Sequence, residues 1–124
     1  LIIASILEKE SCANEREKVS GVIYNRLKNN MYLQMDSTTI YGLKDFNGDL
    51  KKKDLKDSSL YNTYMHKGLP PGPISNPSKN SIFAAAQPEE HDYFYFVAKG
   101  KCNHVFSTNY DDHLKAVKKY QIRK

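Results

Sequence analysis

The sequence has no tryptophan, only two cysteines and no apolar run near the roughly 18 residues that a membrane-spanning helix needs. It shows no signal-peptide pattern, and its four histidines have no metal-ligand spacing. Because Cys12 and Cys102 are not arranged as CxxC, nothing indicates a zinc site or a redox pair. One disulfide and two free thiols fit the sequence equally well, so cysteine usage leaves the cellular compartment open.

The residues that are present suit a soluble globular domain. The 124 residues are 40% hydrophobic and 27% charged, which is enough for one domain with a proper core. The chain lacks an initiator methionine and opens directly on an apolar stretch, so we expect a domain from a longer protein. The net charge of +5 favours an anionic partner only weakly, because the lysines are spread along the chain and suit a solvated surface.

Hydrophobic periodicity predicts two helices near the start of the chain. The first covers residues 1 to about 12. Asn14 and Glu17 have the spacing of a capping box for the second helix, which should end near residues 28–30. The core face of that second helix should carry Val19, Val22, Ile23 and Leu27.

Residues 32–36 alternate between apolar and polar side chains and indicate an extended segment. Leu33 and Met35 should lie on one face, with Gln34 and Asp36 on the other. Asp36 is also placed to cap a short helix that follows it.

The second half of the chain mixes irregular segments with short regular elements. Residues 44–59 predict a mobile polar excursion, and the proline- and glycine-rich residues 68–77 exclude regular structure. Asn76, followed by proline, should cap a helix. Residues 93–107 predict a β-hairpin, and a last amphipathic helix should run from about 111 to 121. The sum is an α+β, helix-dominated single domain with one small antiparallel sheet.

Glu8 is the most unusual residue of the first helix. Ile2, Ile3, Ile6 and Leu7 cover one broad face, and Glu8 falls on the opposite side among further apolar residues. A helix that is apolar on nearly every side is usually buried, and burial raises the pKa of a carboxyl. A carboxyl that holds its proton near neutral pH is suited to general acid catalysis.

Other interpretations of the same helix stay open. Glu8 can lie at the helix end and form an ion pair with Lys9, Arg16 or Arg26. Glu10, which falls under the Ile3 and Ile6 face, is not excluded as the carboxyl in question. Helical spacing alone does not choose between the two.

Three irregular segments, at 33–42, 61–64 and 68–77, are rich in amides, hydroxyls and tyrosines. Planar amides and aromatic faces hold sugar rings and acetamido groups, and stiff loops place such groups at a small entropic cost. The tyrosines can instead be core residues, Asn62 a turn residue and Asp36 only a helix cap.

Nine stretches follow one another in a specific order along the chain. They are ASILEKE at 4–10, ER at 15–16, NRL at 25–27, LQMDSTTIYG at 33–42, YNTY at 61–64, GLPPGPISNP at 68–77, AAAQP at 84–88, YFYFVAKG at 93–100 and HVFSTN at 104–109. Together they resemble the catalytic domain of the YceG-like (MltG-type) endolytic lytic transglycosylases, which cleave peptidoglycan glycan strands. Ser37 stands where this family usually has proline, Ser78 stands where glycine is usual, and the two cysteines are not typical.

The resemblance implies a catalytic domain over residues 1–124, with the family's N-terminal membrane anchor and LysM-like region outside this chain. It matches the family's catalytic Glu to Glu8, the first Glu of the EKE motif. His104 and Phe106 match the family's cleft more weakly. The positions implied to bind substrate are Gln34, Asp36, Tyr61, Asn62, Thr63, Tyr64, Leu69, Pro70, Pro71, Gly72 and Asn76.

The resemblance also implies the chemistry. Protonated Glu8 would donate to the oxygen between N-acetylmuramic acid and N-acetylglucosamine, and would then accept the proton of the 6-hydroxyl that closes a 1,6-anhydro ring. Gln34 and Asn62 would orient the substrate, and neither a metal nor an organic cofactor is needed. The full-length protein would act at the extracytoplasmic face of the bacterial membrane on peptidoglycan, with penicillin-binding proteins as partners by family resemblance.

Two other classes compete with this interpretation. A non-catalytic cell-wall carbohydrate-binding domain would use the same aromatic and amide loops, and would bind glycan without cleaving it. A nucleic-acid-binding domain would explain the basic charge, but no recognised motif supports it. Its signature would be steeply salt-dependent binding to oligonucleotides.

Overall fold

The computed structural model describes residues 1–44, 46, 48–99 and 102–120. Within these residues, five α-helices and one two-stranded antiparallel sheet form the regular structure, which confirms the α+β prediction. No helix in these ranges combines the length and apolarity needed to cross a membrane. The helices and strands are α1 (Ile2–Glu10), α2 (Arg16–Lys28), α3 (Asp36–Gly42), α4 (Lys79–Ala86), β1 (Tyr95–Ala98), β2 (His104–Ser107) and α5 (Tyr110–Tyr120).

The core forms around α1. Five consecutive residues of this helix, Ile3 to Leu7, are buried, so the helix is covered on nearly every side as its sequence predicts. Helices α2 and α4 pack against it. The predicted core stripe of α2 is also confirmed, because Val19, Val22 and Ile23 are fully buried and Leu27 packs partly buried at the margin.

Polar contacts fix the proline-rich segment and α4 onto this core. The hydroxyl of Ser5 accepts a hydrogen bond from the Ile74 amide at 3.0 Å, and the Ser75 hydroxyl donates to the Ser5 carbonyl at 2.9 Å. The Tyr24 hydroxyl donates to the Ala85 carbonyl at 2.7 Å, which joins α2 to α4. Residues 68–77 contain neither helix nor strand, as predicted.

Arg26 is a buried cation that joins three parts of the chain. Its guanidinium donates to the Phe94 carbonyl at 2.6 Å and to the carbonyls of Tyr32 and Leu33, both at 2.9 Å. The same group lies over the ring of Tyr95, 4.9 Å from its centroid. Arg26 therefore holds α2, the segment before α3 and the start of the hairpin together.

The predicted hairpin is confirmed, with Tyr95 opposite Ser107 and Ala98 opposite His104. The last helix packs on it, and the imidazole of His113 stacks on the Tyr95 ring at a centroid distance of 4.9 Å. The predicted turn residues 100–101 and the predicted helix end at residue 121 lie outside the described residues.

The capping box predicted at Asn14 and Glu17 is wrong. A 3-10 turn, Ala13–Glu15, comes between α1 and α2, and Glu15 occupies the N-cap of α2 without a side-chain capping bond. The Glu15 carboxylate instead contacts His104 on β2, so a long-range contact overrides the local capping pattern.

Two further predicted caps are also misplaced. Ser78, not Asn76, caps α4, and its hydroxyl accepts a hydrogen bond from the Ser81 amide. Met35 occupies the N-cap of α3, and Asp36 lies inside the first turn. In the predicted polar excursion at 44–59, residues Lys52–Lys56 form a 3-10 helix, while its mobility stays a prediction.

A disulfide joins Cys12 to Cys102, which resolves the alternative that the sequence left open. The two residues are 90 positions apart, so the bond links the turn after α1 to the loop between the two strands. It closes a long loop of the chain, and such a bond restricts the unfolded ensemble.

We expect the Cys12→Ser, Cys102→Ser double variant to lower the free energy of unfolding by about 2–4 kcal/mol, because it releases this long loop in the unfolded state. Chemical denaturation of the oxidised protein and the variant measures the difference. Equal midpoints for the two would contradict a structural bridge. A reducing agent should lower the midpoint of the wild-type protein alone.

Candidate active site

A cleft of about 400 Å³ lies where the end of α1 meets the segment before α3, the hairpin and α5. Its walls come from parts of the chain that are distant in sequence. The segment before α3 and the start of α3 supply a polar wall, and β1 and α5 supply a mostly apolar wall. The lining residues are Glu10, Arg26, Leu33, Gln34, Met35, Asp36, Tyr64, Phe96, Val97, Ala98, His104, Tyr110, His113, Leu114 and Val117.

Glu10, the last residue of α1, supplies a carboxyl to this cleft. Its Oε2 atom accepts a hydrogen bond from the Ser37 amide at 3.2 Å. Burial raises the pKa of Glu10 above its ordinary value, the negative charge of Asp36 adds to this, and Ser37 and His104 act in the opposite direction. Glu10 is therefore a cleft carboxyl whose surroundings favour its protonated form.

His104 lies on β2 beside Glu10 in the cleft. Its Nδ1 atom is 2.9 Å from Oε1 of Glu15, and the two side chains are only 7% and 17% exposed. This contact fixes the orientation of the imidazole. It also fastens β2 to the 3-10 turn that follows α1, and this restricts the distance between Glu10 and the hairpin.

Asp36 and Tyr64 meet on the polar wall. The Tyr64 hydroxyl donates to Oδ1 of Asp36 at 2.6 Å. Gln34 lies next to them in the left-handed region at φ 51°, with an exposed side chain. The predicted alternation is confirmed for burial, since Leu33 and Met35 are 1% and 3% exposed, but the segment is not extended throughout because Gln34 has a positive φ.

Glu8 lies outside the cleft, and its carboxylate is fastened to α4. Oε1 accepts hydrogen bonds from the Ser78 amide at 2.8 Å and the Ser81 hydroxyl at 2.9 Å, while Oε2 is 3.4 Å from the guanidinium of Arg16. These donors at the start of a helix favour a negative charge. The bonds from Ser78, then that from Ser81, together with the nearby charge of Arg16, lower the pKa of Glu8 from 4.5 to about 2.

The prediction that burial keeps Glu8 protonated is therefore wrong. The apolar residues of α1 face the core, whereas Glu8 is at the margin with 28% of its side chain exposed. The simpler interpretation, an ion pair with Arg16 at the helix end, is confirmed.

Asn62 and Thr63 are buried rather than exposed to a substrate. The Asn62 amide donates to the carbonyls of Leu55 and Asp57, at 3.1 and 2.7 Å. Its oxygen accepts from the Thr39 hydroxyl and from the Tyr64 amide. Asn62 therefore does not line the cleft but stabilises α3 and Tyr64, which do.

Thr63 supports the same wall. Its hydroxyl accepts from the Met35 amide at 2.7 Å and contacts the Thr38 hydroxyl at 2.9 Å. Its carbonyl accepts from the Gln34 amide at 3.2 Å. These bonds hold Gln34 and Asp36 in the cleft, although Thr63 itself is 1% exposed.

The remaining sequence-predicted positions do not line the cleft. The partly buried Tyr61 packs against the core, and its ring lies 4.8 Å from that of Tyr41. A Cβ atom at Gly72 would stand 3.2 Å from the Tyr61 hydroxyl, so the proline-rich loop passes close to this tyrosine. Substrate contacts at these positions stay predictions. They are Tyr61, Leu69, Pro70, Pro71, Gly72 and Asn76, and Phe106 joins them.

Sequence reasoning missed the apolar wall of the cleft. It comprises Phe96 and Val97 of β1 and a face of α5 with Tyr110, Leu114 and Val117. The amphipathic pattern of α5 predicts a buried face, but it does not say which neighbour that face meets. Among the residues that the structure describes, no three His, Cys, Asp or Glu side chains are grouped as metal ligands.

Comparison with known proteins gives one consistent family. The model of the YceG-like family matches residues 1–119. The chain is 42% identical over 121 residues to a Bacillus subtilis protein named endolytic murein transglycosylase, a match that covers 97% of this chain. A Streptococcus pneumoniae protein of the same name is 34% identical over 122 residues, covering 91% of this chain.

A solved structure gives the same result. The crystal structure of a yceG-like protein from Listeria monocytogenes superposes with a TM-score of 0.84 at 43% identity, over 92% of this chain and 37% of that one. The chain spans only 34% of the length of the Bacillus subtilis relative and 22% of that of the Streptococcus pneumoniae relative.

We expect Asn62→Ala to lower the free energy of unfolding by about 2–4 kcal/mol, because it leaves buried carbonyl, amide and hydroxyl groups without partners. This exceeds the effect of at most about 1 kcal/mol that is typical of substitutions at exposed site residues. Gln34→Ala, at an exposed position, is the matched control and should stay within about 1 kcal/mol. Thermal denaturation separates them, and equal stability losses would show that Asn62 is not structural.

The two glutamates of α1 should respond to pH in opposite ways. The lowered pKa of Glu8 means that its contribution is present above pH 4.5 and is lost as the pH falls towards about 2. We expect Glu8→Gln to cost about 1–2 kcal/mol at neutral pH, and the difference from wild type to shrink in acid.

Because the pKa of Glu10 is raised in the native state, the native state binds the proton of this carboxyl more tightly than the unfolded state does. Wild-type stability therefore falls as the pH rises from the unfolded to the folded pKa. Glu10→Gln removes this loss, so this variant should be at least as stable as wild type at neutral pH. Denaturant midpoints between pH 3 and 8 measure both trends, and a strong destabilisation by Glu10→Gln would contradict the assignment.

Proposed function

This chain belongs to the YceG-like family, and on that premise we propose that it is the catalytic part of an endolytic murein transglycosylase. The names of the Bacillus subtilis and Streptococcus pneumoniae relatives support the activity, and their matches cover nearly all of this chain. The substrate would be the glycan strand of murein, that is, of peptidoglycan.

One observation supports an enzyme rather than a passive binding domain: a cleft carboxyl, Glu10, whose buried position raises its pKa. A raised pKa keeps a carboxyl protonated to higher pH and so suits it to donate a proton. Glu8 matches the family motif by resemblance, but it lies outside the cleft and is held ionised by Ser78, Ser81 and Arg16. We therefore assign the acid role to Glu10 and a structural role to Glu8.

The proposed reaction needs a single carboxyl. Protonated Glu10 donates to the glycosidic oxygen between N-acetylmuramic acid and N-acetylglucosamine, and the bond from C1 to that oxygen breaks. The Glu10 carboxylate then accepts the proton of the 6-hydroxyl of the same muramic acid, whose oxygen attacks C1. The products are a free 4-hydroxyl on the N-acetylglucosamine side and a 1,6-anhydro ring, and Glu10 regains its proton.

The polar wall supplies groups that can orient the sugar. Gln34 presents an exposed amide, and Tyr64 and Asp36 form a hydrogen-bonded pair beside Glu10. Asp36 also has a second effect, because its negative charge opposes ionisation of Glu10. In this proposal Gln34 orients the acetamido group, and Asp36 helps to keep the acid protonated before the reaction.

Murein lies outside the cytoplasmic membrane, so the proposed activity places the catalytic part there in the whole protein. A contact with penicillin-binding proteins stays a prediction. The carbohydrate-binding alternative uses the same cleft without proton transfer, and it is distinguished by whether bound glycan is cleaved.

We expect Glu10→Gln to reduce cleavage of purified glycan strands by about 10²–10⁴-fold, because the amide can neither donate nor accept the transferred proton. Glu8→Gln is the matched control two positions away, and it should retain most activity under conditions where it is folded. Mass spectrometry of the products should show 1,6-anhydro ends, lighter by one water than hydrolysed ends.

Three outcomes would overturn parts of this proposal. Loss of activity in folded Glu8→Gln with a normal Glu10→Gln would return the acid role to Glu8. Reducing ends as the main product would mean that water is the nucleophile and that Asp36 acts as a base. Saturable binding of glycan without cleavage by the wild-type protein would favour the carbohydrate-binding domain.

A further inference from the structure

Ser37 has two hydrogen-bond donors, an amide and a hydroxyl, beside the proposed acid Glu10. Its backbone amide donates to Oε2 of Glu10 at 3.2 Å. Its hydroxyl is buried, yet it has no hydrogen-bond partner within the described residues. A buried hydroxyl without a partner is costly, so a group that it can reach in another state of the site is expected nearby.

We propose that Ser37 is a positioning residue for Glu10: its amide donates to the carboxyl at rest, and its hydroxyl adds a second hydrogen bond once Glu10 has given up its proton. The proposal rests on the acid role assigned to Glu10 above. It extends that role by naming the group that stabilises the carboxylate between the two proton transfers.

The amide and the hydroxyl of Ser37 both lie close to the Glu10 carboxyl. The amide donates to one oxygen of Glu10, and the hydroxyl, although it makes no regular hydrogen bond at rest, is near enough to favour the ionised form. An ionised carboxylate accepts more hydrogen bonds than a protonated one, and bonds from a neutral donor to a carboxylate are strong. The hydroxyl therefore gains its partner when Glu10 ionises.

The charged groups around Glu10 have other roles, so we assign the hydrogen bond to the ionised carboxylate to a neutral donor, Ser37. Asp36 of α3 opposes ionisation, whereas His104 of β2, held by Glu15, favours it. Arg26 of α2 lines the same cleft, but its guanidinium is engaged by backbone carbonyls. Both donors of Ser37 act on Glu10 in the same direction as His104, and they do so without adding a charge.

The position of Ser37 allows its two donors to be removed separately. It lies in the first turn of α3, where backbone amides have no partner within the helix. Ser37→Ala removes the hydroxyl and keeps the amide. Ser37→Pro removes both, and proline is tolerated in the first turn of a helix. Because proline also restricts the residue before it, Asp36, the alanine variant is the decisive one.

The test is a titration of the Glu10 carboxyl carbon by NMR in the wild-type protein and in both variants, with the resonance identified by its loss in Glu10→Gln. We expect the titration midpoint to move to higher pH in Ser37→Ala and further in Ser37→Pro, because each step removes a donor to the carboxylate. The high-pH limit of glycan cleavage, set by loss of the protonated acid, should move in the same order.

Ser58→Ala is the control, since Ser58 is exposed and does not line the cleft. It should leave the Glu10 midpoint unchanged. An unchanged midpoint in folded Ser37→Ala would overturn the role of the hydroxyl, even if Ser37→Pro fails to fold. If the midpoints move as expected but the protein cleaves no glycan at any pH, the proposed function fails and the contact between Ser37 and Glu10 stands.

Discussion

The cleft depends on one buried cation, Arg26. A guanidinium removed from water needs its donors satisfied, and here the satisfying groups are the backbone carbonyls of Tyr32, Leu33 and Phe94. Those carbonyls belong to the segment before α3 and to the start of the hairpin, and both of these parts of the chain line the cleft, so the bonds that satisfy Arg26 also hold the cleft together. The face of Tyr95 covers the cation and continues the contact towards α5. A lysine could not reproduce this planar set of donors.

The two glutamates of α1 differ in acidity because their surroundings differ, although they lie on the same helix. Glu8 meets an amide, a hydroxyl and a guanidinium, all of which favour its charge. Glu10 meets the interior of a cleft and a second carboxylate at Asp36, both of which oppose its charge, while Ser37 and His104 favour it. Two residues along a helix turn a side chain by more than half a revolution, so neighbours in sequence face different environments. One glutamate fastens α1 to α4, and the other is available to exchange a proton.

The sequence predicts those features that depend on local pattern. The buried stretch of α1, the stripe of α2 and the hairpin each have a periodicity that needs no knowledge of partners. The predicted caps failed because tertiary contacts fix other residues at the helix starts: Glu15 contacts His104, and Ser78, which caps α4, donates its amide to Glu8. The structural role of Asn62 was hidden because the pattern does not show that its side chain bonds to nearby backbone at Leu55, Asp57 and Tyr64 and also to Thr39 of α3. The apolar wall required the docking of α5.

Acidity at Glu10 is a property of the assembled fold. Burial is the main cause of its raised pKa, and the burial comes from elements that follow α1 by many residues. The proposed reaction requires a carboxyl that is protonated before bond cleavage and ionised immediately afterwards. Burial and Asp36 favour the first form, while Ser37 and His104 favour the second. A site that strongly favoured either form would perform only half of the cycle, as the firmly ionised Glu8 illustrates. Opposing contacts around Glu10 are thus what would allow one carboxyl to serve as acid and then as base.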